Sequence, residues 1–245
     1  MRFWEARYGG LLLRELALLG VMLWLYKYVR FLINGRTAEA FENAHRILNW
    51  EHWLGLDSEA ALQRLVLPHH GLVIGLNRYY VSVHFVGTIA FLVWAFARSH
   101  VDYQKLRRVL IATTLTALCI HVMFPLAPPR MMNGFVDTMV RFGPNPYDNG
   151  HVTGFANQFA AMPSLHIGWS IIVAYGVITI MRSKWRWLVL AHPIMTSLAV
   201  VLTANHYWLD GVVAGAIVAA CIFFLADPAD VRSRSNRQLV RAGYS

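Results

Sequence analysis

Ala161-Met162-Pro163-Ser164-Leu165-His166 opens a run of apolar residues that continues to Met181. Proline is favoured at the first helical position, so Pro163 predicts a helix start. The amides of a first helical turn have no partner within the helix and attract anions. Ser164 adds a hydroxyl there, and His166 adds an imidazole. The run behind them is long enough to be read as a bilayer crossing. An apolar span that opens on polar groups decides the fold, because polar side chains at membrane depth are costly and tend to mark function.

A second stretch, Asn205-His206-Tyr207-Trp208-Leu209-Asp210, stands at the head of another apolar run. His206 and Asp210 are four apart, which on a helix places them on one face. A carboxylate beside an imidazole fixes its tautomer and favours its cationic form. Two histidines, one supported by an aspartate, beside an anion site point to phosphoryl transfer with a histidine nucleophile.

Composition sets the class. Of 245 residues, 57% are hydrophobic and 14% are charged, against about a quarter charged in soluble proteins. The chain is read as a single membrane-embedded domain, all-α and polytopic. Its net charge is +9. The basic residues lie between the apolar runs, which suits anionic lipid headgroups rather than nucleic acid. Cys119 and Cys221 each fall inside an apolar run and are expected as buried free thiols.

Six transmembrane helices are expected, at 10–33, 71–97, 106–126, 164–181, 187–204 and 207–225. The first is read as a retained span, since no small-residue cleavage site follows it. Between the first and second, residues 36–67 are charged with apolar residues at helical spacing. They predict amphipathic helices lying on the bilayer, with Trp50 and Trp53 at the interface. The first half of the second span is polar, with Asn77, Arg78, Tyr80 and His84. His121 lies near the end of the third. A loop at 131–160 is rich in glycine, proline and asparagine, and loops of that length are often functional. The tail at 227–245 is expected to be mobile and cytoplasmic. Gly211 and Gly215 predict close helix packing.

Arginines and lysines concentrate at 98–108, 182–186 and 232–241. The positive-inside rule then puts both termini in the cytoplasm. Arg36, Arg46 and Arg64 in the amphipathic segment run against it. With this orientation His121, Arg130, Ser164, His166, His206 and Asp210 all fall at the extracytoplasmic ends of their spans, and Asn77, Tyr80 and His84 at the same depth. A compact chain of this kind is expected in a bacterial plasma membrane.

Pro163-Ser164-Leu165-His166 and His206 with Asp210 resemble the second and third signatures of the type-2 phosphatidic acid phosphatase superfamily. Ala127-Pro128-Pro129-Arg130 is similar to a reduced first signature. Leu165, and the Asn-His-Tyr-x-x-Asp form around His206, resemble the inositol phosphorylceramide synthase-like branch. The segments 46–56, with Glu51 and Gly55, and 77–84 also resemble it. The resemblance implies that His206 attacks phosphorus, that Asp210 orients it, and that His166 protonates the leaving oxygen. Arg130, Ser164 and the amides after Pro163 would bind phosphate. No metal and no cofactor are implied. Two cations of the phosphatase pattern are absent: Met123 and Val200 stand in their places. Asn77, Arg78, Tyr80, His84 and His121 are therefore candidates for binding substrate.

The implied substrate is a phospholipid or a polyprenyl phosphate. Water as acceptor makes the protein a lipid phosphatase. A lipid or polyol alcohol as acceptor makes it a phosphotransferase. The competing reading is an inactive member that binds or moves anionic lipids. A metal site at His69 and His70 is disfavoured, because adjacent histidines do not have ligand spacing.

Overall fold

The structure is a computed structural model describing residues 2–33, 35–143 and 159–226. The tail at 227–245 and half of the loop expected at 131–160 lie outside the described residues. Ten α-helices are described: α1 Arg2–Ile33, α2 Thr37–Leu54, α3 Glu59–Val66, α4 His70–Arg78, α5 His84–Arg98, α6 His100–Met123, α7 Thr138–Phe142, α8 Leu165–Ile180, α9 Ala191–Leu202 and α10 Trp208–Leu225. Among the described residues the extended backbone is limited to one bridge, between Leu126 and Ala160.

Four helical stretches have the length and hydropathy of membrane spans: His70–Arg98, His100–Met123, Lys184–Leu202 and Trp208–Leu225. The six-span expectation is thus met only in part. The helix at Leu165–Ile180 has 16 residues, about 24 Å at 1.5 Å per residue, shorter than the ~30 Å hydrocarbon core. It packs against α5, α6, α9 and α10 and so sits at the centre of the bundle, where a short helix is covered by protein. The stretch 17–33 passes only together with α2, across a bend of 94°.

Close packing around α8 uses small residues. A Cβ on Gly176 would come within 2.3 Å of the Phe91 ring, and one on Gly211 within 2.8 Å of Ile167. Gly215 is looser, with Ile171 at 3.9 Å. The outer surface carries Phe85, Val86, Ile89, Val93, Ile194, Phe223 and Phe224, as a lipid-facing surface should. Cys119 lies on that surface rather than buried, and Cys221 is half-buried. A thiol needs no protein partner against lipid, so the apolar run gave no clue to its facing.

The amphipathic segment turns inward the face that carries polar groups. α2 buries Ala40, Asn43, Ala44, Ile47 and Glu51, while Trp50 and Trp53 are exposed. α3 buries Glu59 and Gln63 and exposes Leu65. Gly55 ends α2 in a left-handed turn at φ 70°, which favours glycine. Leu56 N then donates to Glu51 O at 2.8 Å, and the chain folds back into α3.

Pro163 does not open its helix. Ser164 is the N-cap of α8, and its Oγ accepts from Ile167 N at 3.4 Å. Proline at N1 would have left the serine inside the helix; the hydroxyl wins the cap position, as serine usually does.

Candidate active site

The loops between the spans are knitted to one another. Leu126 N donates to Phe159 O at 2.8 Å, Ala127 N to Ala40 O at 3.1 Å, and Arg130 N to Ala204 O at 2.8 Å. Ser164 N donates to Asp210 O at 3.1 Å, so the heads of α8 and α10 are joined directly. Tyr207 is fully buried and its hydroxyl donates to Ala127 O at 3.0 Å.

His206 lies in the turn before α10, not on the helix. Asp210 is the third residue of α10, and its Oδ2 reaches back to Tyr207 N at 2.9 Å as a capping box. The same oxygen is 3.1 Å from His206 Nδ1. The four-residue spacing therefore works through the cap rather than through a helical face. His206 Nδ1 is also 2.9 Å from Ala161 O. A carbonyl only accepts, so Nδ1 carries the hydrogen and Nε2 carries the lone pair. Burial pulls the pKa of His206 down from 6.5 to about 3, and the Arg130 guanidinium pushes the same way. The cationic form expected from the Asp210 pairing is therefore disfavoured before substrate binds.

His166 stands opposite. Its ring centroid is 5.7 Å from that of His206. Tyr80 stacks on it at 4.3 Å, and His84 lies at 4.4 Å. Tyr80 belongs to a π-helical turn, Tyr79–Val83, which joins α4 to α5 within one span. Such turns add a residue to the helix and are frequent at functional sites.

Arg130 is buried, with Nη1 donating to Asn205 Oδ1 at 2.7 Å and Nε 3.4 Å from Asp137 Oδ2. Asn205 Nδ2 in turn donates to Thr203 Oγ1 at 2.7 Å. The arginine is thereby fixed beside His206 by side chains from two loops. His121 Nε2 donates to Pro163 O at 3.2 Å and buttresses the head of α8. Its Nδ1, and Nδ1 of His84, are buried without a hydrogen-bond partner among the described residues.

The other candidates separate. Asn77 is occupied: its Nδ2 donates to Thr138 O and Gly143 O, both at 2.9 Å, and its Oδ1 accepts from Thr138 Oγ1 at 2.8 Å. It anchors α7. Arg78 is exposed on the surface of the same helix. Met123 is 77% exposed and points away from the bundle, whereas Val200 is buried and its carbonyl accepts from Asn205 N and His206 N. Asp137, Glu51 and Glu59 also reach this end of the protein. Glu51 belongs to the 46–56 segment singled out above by resemblance, whereas Asp137 and Glu59 lie in no motif of the sequence.

A family model described as PAP2 superfamily matches residues 45–225. The chain belongs to the PAP2 superfamily. The match spans α2 to α10 and contains every residue of the cluster. No curated protein and no solved structure matches the chain. Membership in the PAP2 superfamily supports phosphatase or phosphotransferase chemistry on lipid-like phosphates, carried out by an integral membrane protein. Among the described residues no group of three His, Cys, Asp or Glu side chains is placed to hold a metal ion.

Proposed function

We propose that this PAP2 protein transfers a phosphoryl group, or a headgroup-bearing phosphoryl group, from a membrane lipid through a phosphohistidine on His206. The observation that carries the reading is the tautomer: Ala161 O and Asp210 Oδ2 both take the Nδ1 hydrogen, which leaves Nε2 as a free base. Nε2 attacks phosphorus, and the bond to the leaving alcohol oxygen breaks. His166 gives that oxygen its proton. In the second half His166 takes a proton from the acceptor, whose oxygen attacks phosphorus and expels Nε2. Arg130 and the amides at the head of α8 meet the charge on the phosphate oxygens. Ser164 adds its hydroxyl, and Tyr80 and His84 hold the ring of His166.

The acceptor is read as a lipid or polyol alcohol rather than water. Support comes from the resemblance to the inositol phosphorylceramide synthase-like branch and from the aromatic wall around His166. That wall includes Phe85, 51% exposed on the lipid-facing surface and 6.2 Å from the His166 ring. Thin-layer analysis of a labelled phospholipid or polyprenyl phosphate, with and without an acceptor alcohol, tests it. A new labelled lipid that appears only with acceptor supports transfer. Release of inorganic phosphate or a free phospho-headgroup at the same rate in both supports a phosphatase instead. No turnover across the panel would favour a lipid-binding member.

EDTA is expected to leave the initial rate unchanged, since Arg130 and helix-end amides supply the positive charge. Loss of activity on chelation, restored by one divalent ion, would replace this account with a metal-assisted one.

The site is proposed to face the extracytoplasmic leaflet, with both termini inside. In a chain with Cys119 and Cys221 replaced, cysteine at Asn133 should react with an impermeant maleimide in intact cells. Cysteine at Lys184 should react only after lysis. The reverse pattern would invert the topology and make the substrate an inner-leaflet lipid.

A further inference from the structure

Three carboxyl groups meet the first turn of α10. Asp210 takes Tyr207 N, as above. Glu59 Oε1 accepts from Trp208 N at 3.2 Å, and Glu51 Oε1 from Leu209 N at 2.8 Å. Glu51 is completely buried and Glu59 is 1% exposed. Their two side chains come from different helices, α2 and α3, brought face to face by the turn at Gly55. Glu51 Oε2 is buried without a donor among the described residues, and the Glu59 carboxyl lies beside it. Trp208 is held a second time, its Nε1 donating to Ser58 Oγ at 3.1 Å.

Three carboxylates in this space would repel one another more than one helix end attracts them, since a helix terminus offers only about half an elementary charge. A proton between Glu51 and Glu59 removes that conflict and satisfies the orphaned oxygen. We infer that Glu51 and Glu59 are positioning residues for the reaction: a carboxyl pair with one proton between them, clamping the first amides of α10 and so holding the turn that carries His206 and Asp210. The amphipathic segment then braces the turn from outside and touches neither the substrate nor the reacting groups. The inference rests on His206 being the reacting group. Glu59, Asp210 and the Tyr207 phenol are the titratable groups that face Glu51. Glu51 lies outside the four spans, and burial, then the Glu59 contact, raise its pKa to about 9.

The test compares Glu51→Gln, Glu59→Gln and the double variant in lipid nanodiscs. A single amide still accepts from the backbone and donates to the remaining carboxylate. Two amides cannot: with both oxygens on backbone N–H groups, two NH2 groups face each other. Each single variant should keep kcat within about twofold, and the double should lose about tenfold in kcat with KM unchanged, the mark of a misplaced reacting group. Hydrogen exchange of the 203–211 peptide should be protected in the wild type and both singles, and about tenfold faster in the double. Raising the pH through about 9 should lower the protection factor of the same peptide, after correction for base-catalysed intrinsic exchange, in the wild type but not in Glu51→Gln, which has no proton to lose. This arm needs no double variant, so it decides the matter if that protein does not fold. A double variant with wild-type exchange and kcat overturns the inference. So do singles as damaged as the double, or a protection factor in Glu51→Gln that falls through about pH 9 as in the wild type. A wild type with no lipid turnover would sink the catalytic reading, while the exchange data would still decide whether the clamp exists.

Discussion

His206→Ala is expected to lower turnover by at least about 10⁴-fold, because the proposed mechanism gives the attack on phosphorus to its Nε2 alone. The neighbouring imidazoles make other contacts. His121 Nε2 is taken up by Pro163 O, and His84 packs between the rings of His166 and Trp169, 4.4 and 5.2 Å away. The loss should fall on kcat, since Arg130 and the head of α8 still bind the phosphate. Rapid quenching with a substrate labelled at phosphorus gives the decisive readout. Wild type should show label on protein that survives base and is lost in acid, as a phosphorus–nitrogen bond to histidine is. His206→Ala should show none. Protein-bound label in the variant would move the nucleophile elsewhere, and His166 would be the first place to look. Full turnover without label would mean direct attack by the acceptor.

The spans and the cluster were legible in the sequence for different reasons. Hydropathy marks a lipid-facing helix because each of its residues is solvated by hydrocarbon, so the stretches 71–97, 187–204 and 207–225 correspond closely to His70–Arg98, Lys184–Leu202 and Trp208–Leu225. The same signal does not separate α8 from them: its run is as apolar as the others, but the helix has only 16 residues and packs against α5, α6, α9 and α10. Ser164, His166, His206 and Asp210 could be read as candidates because they lie in short local patterns at the heads of α8 and α10, which the structure joins. Their mode of contact could not. A four-residue spacing looks like a helical face, and only the position of the helix start shows that Asp210 works as a cap. Glu51, Glu59, Asn205 and Asp137 were not assigned roles because their partners are distant in sequence. The amphipathic segment also inverts the usual inference: the polar side of α3, with Glu59 and Gln63, is the buried one. Asn77 shows the opposite case. A polar residue within an apolar run looked like a substrate contact, and its amide is spent on holding α7.

Asp210→Asn is expected to lower kcat by about a thousandfold. Asp210 Oδ2 accepts two hydrogens, from Tyr207 N and His206 Nδ1. An asparagine can keep only part of this. With its oxygen on Tyr207 N, it turns NH2 toward His206 Nδ1. That favours the tautomer with the hydrogen on Nε2, which has no lone pair to attack phosphorus. The equivalent change in the serine-protease triad costs about 10⁴-fold for the same reason. A smaller loss is expected here because Ala161 O, at 2.9 Å, still calls for the Nδ1 hydrogen. The loss of negative charge beside the intermediate adds to the cost, since phosphohistidine formation leaves the ring cationic. Asp210→Ala separates the two effects. It removes the cap and the charge but offers no competing donor, so Ala161 O should hold the productive tautomer. The two variants should differ in kcat at similar KM, with Asn the slower if tautomer control dominates. A rate for Asp210→Asn near that of the wild type would mean that the Ala161 carbonyl alone orients His206 and that Asp210 serves only to start α10.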